Sequence, residues 1–115
     1  MPSRTRRVYD EPAAADGYRV LVDRLWPRGL TKDRARVDLW LKDVAPSAGL
    51  RRAFHHEGLP FEEFARRYRD ELATNPALDD LRTVLSEHDV VTLVYGAADP
   101  DQNQAAVLRD LLRQS

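Results

Sequence analysis

Val90-Val-Thr-Leu-Val-Tyr95 decides the fold. The run is short, rich in β-branched residues and almost continuously apolar. A strand covered on both faces has this pattern, and such strands belong to parallel sheets. A second run of the same kind, Val20-Leu-Val22, sits within the stretch from Tyr18 to Leu25. Working outward, Arg4 to Tyr9 predicts a further strand, polar and so placed near an edge. Val37 to Leu41 is ambiguous, with strand ahead of helix.

The intervening segments read as helices. Phe61, Phe64, Ala65, Tyr68 and Leu72 form one apolar stripe at helical spacing. Asn75-Pro76 supplies a cap and a first-turn proline for a second stripe through Leu78, Leu81 and Leu85. Ser47 caps a short helix through Leu50 and Phe54. Asp99-Pro-Asp-Gln102 predicts the start of a last helix, with Ala105, Leu108, Leu111 and Leu112 inward. The fold class is therefore α/β: a small single domain over residues 1–115, with a mostly parallel sheet flanked by helices. The connection from Asp10 to Gly17 is short for a parallel crossover, so direct pairing of the first two strands fits the pattern least well.

Composition narrows the function classes. With 43% hydrophobic and 32% charged residues the chain reads as soluble and globular. Its net charge of −1 argues against a general nucleic-acid binder. The absence of cysteine excludes disulfides, thiolate metal sites, iron–sulfur clusters and a cysteine nucleophile. No run approaches the roughly 18 apolar residues of a membrane span. The basic stretch from Met1 to Arg7 is not followed by a signal-peptide core, so the expected location is cytoplasmic. Sixteen arginines stand beside two lysines and no isoleucine, a bias that commonly follows from a GC-rich genome, so a single arginine carries little weight.

Ligands of open α/β sheets bind beyond the C-terminal ends of the strands. One apolar run continues into Asp23-Arg-Leu-Trp-Pro-Arg-Gly29 and the other into Tyr95-Gly-Ala-Ala-Asp99. Pro27 stiffens the first of these and Gly29 frees it. Arg24 and Arg28 suit a carboxylate or phosphate. The competing reading pairs Asp23 with Arg24 structurally and uses Trp26 as a core plug. Lys42, among apolar neighbours, is either a desolvated cation or a snorkelling side chain. Asp99 and Asp101 read as caps and would repel an anion at that helix start. His55 and His56 are adjacent and point apart on a helix, and no two-histidine zinc spacing exists, so no metal and no cofactor are expected. Arg51-Arg52 and Arg66-Arg67 read as solvated faces. The expected ligand-binding set is Asp23, Arg24, Trp26, Arg28, Lys42, Tyr95 and Asn103, gathered at one sheet edge.

Four of these stretches also carry a resemblance. Gly17-Tyr-Arg-Val-Leu-Val-Asp-Arg-Leu-Trp-Pro-Arg-Gly-Leu30, Trp40-Leu-Lys-Asp-Val-Ala-Pro-Ser47, Phe64-Ala-Arg-Arg-Tyr-Arg-Asp-Glu-Leu72 and Val91-Thr-Leu-Val-Tyr-Gly-Ala resemble the YeaO-like branch of a bacterial and archaeal family, domain of unknown function 488. The resemblance implies a compact α/β domain and carries no activity with it. Relatives tend to have a run of the form D-x-x-H-N-H-A after the last strand. Here Gln102 and Gln104 replace both histidines and Asn103 is kept. A fainter similarity to rhodanese-like domains implies a shared layout only, since sulfur transfer needs the missing cysteine. Two functions follow. One is a site for a small anionic ligand at the strand ends, with catalysis left open. The alternative is a non-enzymatic protein-interaction module using the Trp26/Arg28 loop.

Overall fold

The computed structural model describes residues 3–113. Four strands, β1 (Arg4–Arg7), β2 (Tyr18–Leu21), β3 (Leu39–Trp40) and β4 (Val91–Tyr95), form one sheet in the order β1-β4-β2-β3. Every neighbouring pair is parallel, and Tyr18 to Leu21 stand opposite Val91 to Val94. All five residues of β4 are buried, as its unbroken apolar run requires of a central strand. The polar strand β1 lies at the edge. It does not pair with β2, because β4 lies between them. The short connection therefore crosses β4, and the Thr92 hydroxyl donates to the Asp16 carbonyl where it does so, 2.7 Å away.

Five helices, α1 (Lys32–Ala35), α2 (Ala48–His56), α3 (Phe61–Leu72), α4 (Ala77–Glu87) and α5 (Gln104–Arg113), complete the chain. The two sheet faces are covered unequally. Val20, Val91, Leu93 and Tyr95 join Phe64, Tyr68, Leu81 and Leu108 in the main core. Alternate strand residues, Leu21 and Val94, face the other way into a smaller cluster with Val8, Ala35, Trp26, Leu30 and Val37. That second face is closed by loops and the one-turn α1.

Local capping follows the sequence with one exception. Ser47 accepts from the Leu50 amide at 3.2 Å, and Asn75 accepts from the Ala77 amide at 2.9 Å. The last helix starts later than the Asp99-Pro100 signal predicts. Asp99 accepts from the amides of Asp101 and Gln102 at 2.8 and 3.1 Å, but this closes only a turn. The cap of α5 is Asn103, whose Oδ1 accepts from the Ala106 amide at 2.9 Å. Both segments offer a capping side chain; the later one is fully buried and its helix packs on the core.

Candidate functional site

Parallel pairing brings the ends of β2 and β4 to one edge. The Val22 amide donates to the Val94 carbonyl at 3.1 Å, and the same register sets Asp23 opposite Gly96. The Gly96 amide donates to Asp23 Oδ2 at 2.8 Å. Gln104, in the first turn of α5, donates its Nε2 to the other carboxylate oxygen, Oδ1. Asp23 thus forms the floor of a cleft of about 520 Å³.

The walls come from three segments. The loop after β2 contributes Arg24, Leu25, Trp26, Pro27 and Arg28; the first turns and last turn of α2 contribute Arg51, His55 and His56; Tyr9 comes from the end of the β1 segment. Tyr9 ties two of these together, since its hydroxyl donates to the Arg28 carbonyl at 3.0 Å. The Trp26 indole donates to the Leu30 carbonyl at 2.7 Å, which fixes the loop from within.

Charge in the cleft is unbalanced. Among the described residues Arg24, Arg28 and Arg51 form no ion pair with a carboxylate, whereas Arg19, Arg66, Arg67 and Arg109 each do. Arg24 donates one bond, to the Ala45 carbonyl at 3.3 Å, and its Nε is buried without a partner. Asp23 is the one acid lining the cleft among the described residues. Burial pushes its carboxyl up to about 6; the Gly96 amide, Arg51 and Gln104 hold it down from going further. Burial, then Arg51 and His56, depress His55.

Asp23, Arg24, Trp26 and Arg28 therefore meet in one cleft. Lys42, Tyr95 and Asn103 do not line it. Lys42 is exposed on a 3-10 turn, Lys42–Val44, with its ammonium 5.6 Å from the centre of the Trp40 ring. Trp40 in turn meets Trp26 edge-on at 5.5 Å. Tyr95 is 2% exposed in the main core, where burial foremost, and then Asp10, raise its hydroxyl above the ordinary tyrosine range. Asn103 is occupied as the α5 cap. Asp23 does not hold Arg24, as their adjacency suggests; the carboxylate bonds to Gly96 and Gln104 instead. Sequence reading misses Tyr9, Arg51, His55, His56, Gly96 and Gln104. The available signal was the spacing of Arg51 and His55, four residues apart and so on one helix face. The two histidine rings are 6.5 Å apart, and among the described residues no three metal-ligating side chains cluster. Also among the described residues, no helix is long and apolar enough to cross a membrane.

Comparison with known proteins matches residues 3–115 to a family described as the inactive DUF488-N3 subclade. An uncharacterized protein of Mycobacterium tuberculosis strain H37Rv is 49% identical over 109 residues, covering 95% of this chain and 92% of that protein. YeaO of Escherichia coli K12 is 43% identical over 108 residues, covering 94% of each. No solved structure matches the chain.

Proposed function

Because the chain belongs to the inactive DUF488-N3 subclade, we propose that it binds, rather than turns over, a small anionic ligand in the cleft above Asp23. One observation carries this reading: three arginines without carboxylate partners face a single concavity. In a chain so rich in arginine, a lone guanidinium at a surface means little. Arg4, Arg6, Arg7 and Arg19 are satisfied by a neighbouring acid or carbonyl. In the cleft three that lack an acid in ion-pair contact, on two separate segments, converge, and Arg24 has only its bond to the Ala45 carbonyl. Arg24 and Arg28 would grip the anion from the loop and Arg51 from α2, each as a charge-assisted donor. Leu25, Trp26 and Tyr9 would cover the remainder of the ligand. A cleft of about 520 Å³ lies within the roughly 300–1,000 Å³ range of small-molecule sites. The interaction-module reading has less support, because Trp26 is half-buried and its indole N–H is already used.

The test is a thermal-shift screen against sugar phosphates, nucleotides and small carboxylates. A ligand at a hundredfold its Kd adds about 2.7 kcal/mol of stability. Arg28→Ala should remove the shift while leaving the melting temperature of the free protein nearly unchanged. A ligand whose shift survives both Arg28→Ala and Arg51→Ala binds elsewhere and ends the proposal.

A further inference from the structure

Resting on that reading, we propose that Asp23 is a specificity-determining residue: its carboxylate selects anions that carry an O–H donor at neutral pH, inorganic phosphate above all, over anions with acceptors only, such as sulfate. The arginines cannot make this distinction. A guanidinium donates to any tetrahedral oxyanion, protonated or not.

The carboxylate can. Each of its oxygens accepts one bond from the protein, Oδ2 from the Gly96 amide and Oδ1 from Gln104. A carboxylate offers about four lone-pair sites, so about two stay open toward the cleft. A ligand hydroxyl or a protonated phosphoryl oxygen reaching the floor finds an acceptor there. A bare acceptor oxygen meets like charge and loses its hydration with nothing in return. Among the described residues no cation is in ion-pair contact with Asp23. Arg24, the adjacent residue, leaves its own Nε without a partner rather than bonding to this carboxylate, and burial works against the charge Asp23 carries. The groups facing the same space are Arg24 and Arg28 from the loop, Arg51, His55 and His56 from α2, Gln104 from α5 and Tyr9. None is an acid, so among the described residues no other side chain in the cleft supplies the anionic acceptor.

The experiment titrates inorganic phosphate and sulfate, at matched ionic strength, into the wild-type protein and Asp23→Asn by calorimetry at pH 7.5. The wild type should prefer phosphate by about tenfold or more. In Asp23→Asn the preference should fall to within about twofold, mainly because sulfate binds better. A second arm repeats both titrations at pH 5, where Asp23 carries its own proton and can donate to sulfate. Phosphate also gains a proton on the way, so the wild-type ratio is read against that of Asp23→Asn at the same pH, and the two should converge. Equal binding of the two anions by the wild type, or a preference at pH 7.5 that Asp23→Asn leaves unchanged, overturns the selectivity and leaves the anion site standing. Absence of binding by either anion overturns the selectivity together with the anion reading on which it rests.

Discussion

The Gly96 amide and the Asp23 carboxylate lie 2.8 Å apart although 73 residues separate them in the chain. The contact exists because β2 and β4 are parallel neighbours whose register continues past their last paired residues. It also leaves little room for a side chain at position 96 while Asp23 stays in place. A Cβ there would stand 2.9 Å from Asp23 Oδ2 and 3.8 Å from Tyr9.

Gly96→Ala follows directly as a probe. The close atom is the tip of a side chain in a cleft, so it can rotate away at little cost to the fold. The melting temperature should change by no more than the equivalent of about 1 kcal/mol. The carboxylate, however, should leave its place, and phosphate should lose its advantage over sulfate in calorimetric titration. Retention of that advantage would mean that the position of Oδ2 is immaterial to binding.

Asp23 should also make stability depend on pH in a defined window. Its folded-state pKa, about 6, is raised above the ordinary 3.8. The folded protein therefore holds this proton more tightly than the unfolded chain. The stabilisation is fully present below about 3.8 and is lost as pH rises through about 6, amounting to about 3 kcal/mol. Asp23→Asn lacks the charge, and the Gln104 amide can turn its oxygen toward the new Nδ2. In urea melts the variant should gain on the wild type between pH 4 and 7 and hold a constant difference above. His55, depressed by burial foremost, titrates in both proteins and drops out of the comparison. A difference that is flat with pH would contradict a buried, proton-binding Asp23.

Gly17 reports on the other end of the same strand pair. Its φ is +64°, and a Cβ there would fall 2.4 Å from the Val90 carbonyl oxygen. That carbonyl accepts from the Tyr18 amide at 2.9 Å where β2 begins. Neither the backbone nor the carbonyl can yield without breaking the pairing. Gly17→Ala should therefore destabilise by more than the roughly 1 kcal/mol of an ordinary glycine conformational effect, measured by chemical denaturation. Gly29→Ala is the control, with positive φ but nothing near its Cβ position. Equal losses in the two variants would assign the effect to φ alone.

What was legible in the sequence follows from what creates a local signal. β4 and the helix from Phe61 to Leu72 bury whole faces, and burial writes itself as apolar periodicity. Asp23, Arg24, Trp26 and Arg28 were legible because they directly follow a strand, and strand ends of a parallel sheet share an edge. Arg51 and His55 arrive at that edge by packing of α2, and their exposed surroundings look like any solvated helix face. Lys42 misled because its apolar neighbours suggest burial, whereas the 3-10 turn it opens leaves it outside, over Trp40. The β1 pairing was hidden because β4, the strand that separates β1 from β2, comes more than 80 residues later. Asp99-Pro100 resembles a helix start because the same short-range bonds build a cap and an isolated turn.

Arg19 and Arg28 give opposite outcomes for the same substitution, although composition treats all sixteen arginines alike. Arg19 is 3% exposed. It donates to Asp16 Oδ2 at 2.6 Å, to the Ala35 carbonyl at 2.9 Å and to the Arg36 carbonyl at 3.1 Å. This fork joins the β1–β2 connection to the end of α1 and closes the loop-covered face of the sheet. Burial raises the Asp16 carboxyl, but the Ala13 amide and Arg19, with Arg6, outweigh it, and the net shift is downward. With its folded pKa depressed, Asp16 stabilises the fold above about 3.8 and loses that contribution as pH falls through the lower folded value. Removing Arg19 takes one donor from the buried Asp16 carboxylate, which keeps the Ala13 amide and Arg6, and leaves two carbonyls without theirs. Arg19→Met should cost about 3–5 kcal/mol in urea melts at pH 7. It should also lessen the part of the acid-induced loss of stability that Asp16 contributes. Arg19→Lys should recover only part of the loss, because one ammonium cannot span the three acceptors of the planar fork. Arg28 is exposed and forms no ion pair among the described residues, so Arg28→Ala should cost under about 1 kcal/mol. A large loss in Arg28→Ala would make that residue a structural brace and not a ligand contact. A small loss in Arg19→Met would mean that the buried pair is dispensable to the second face.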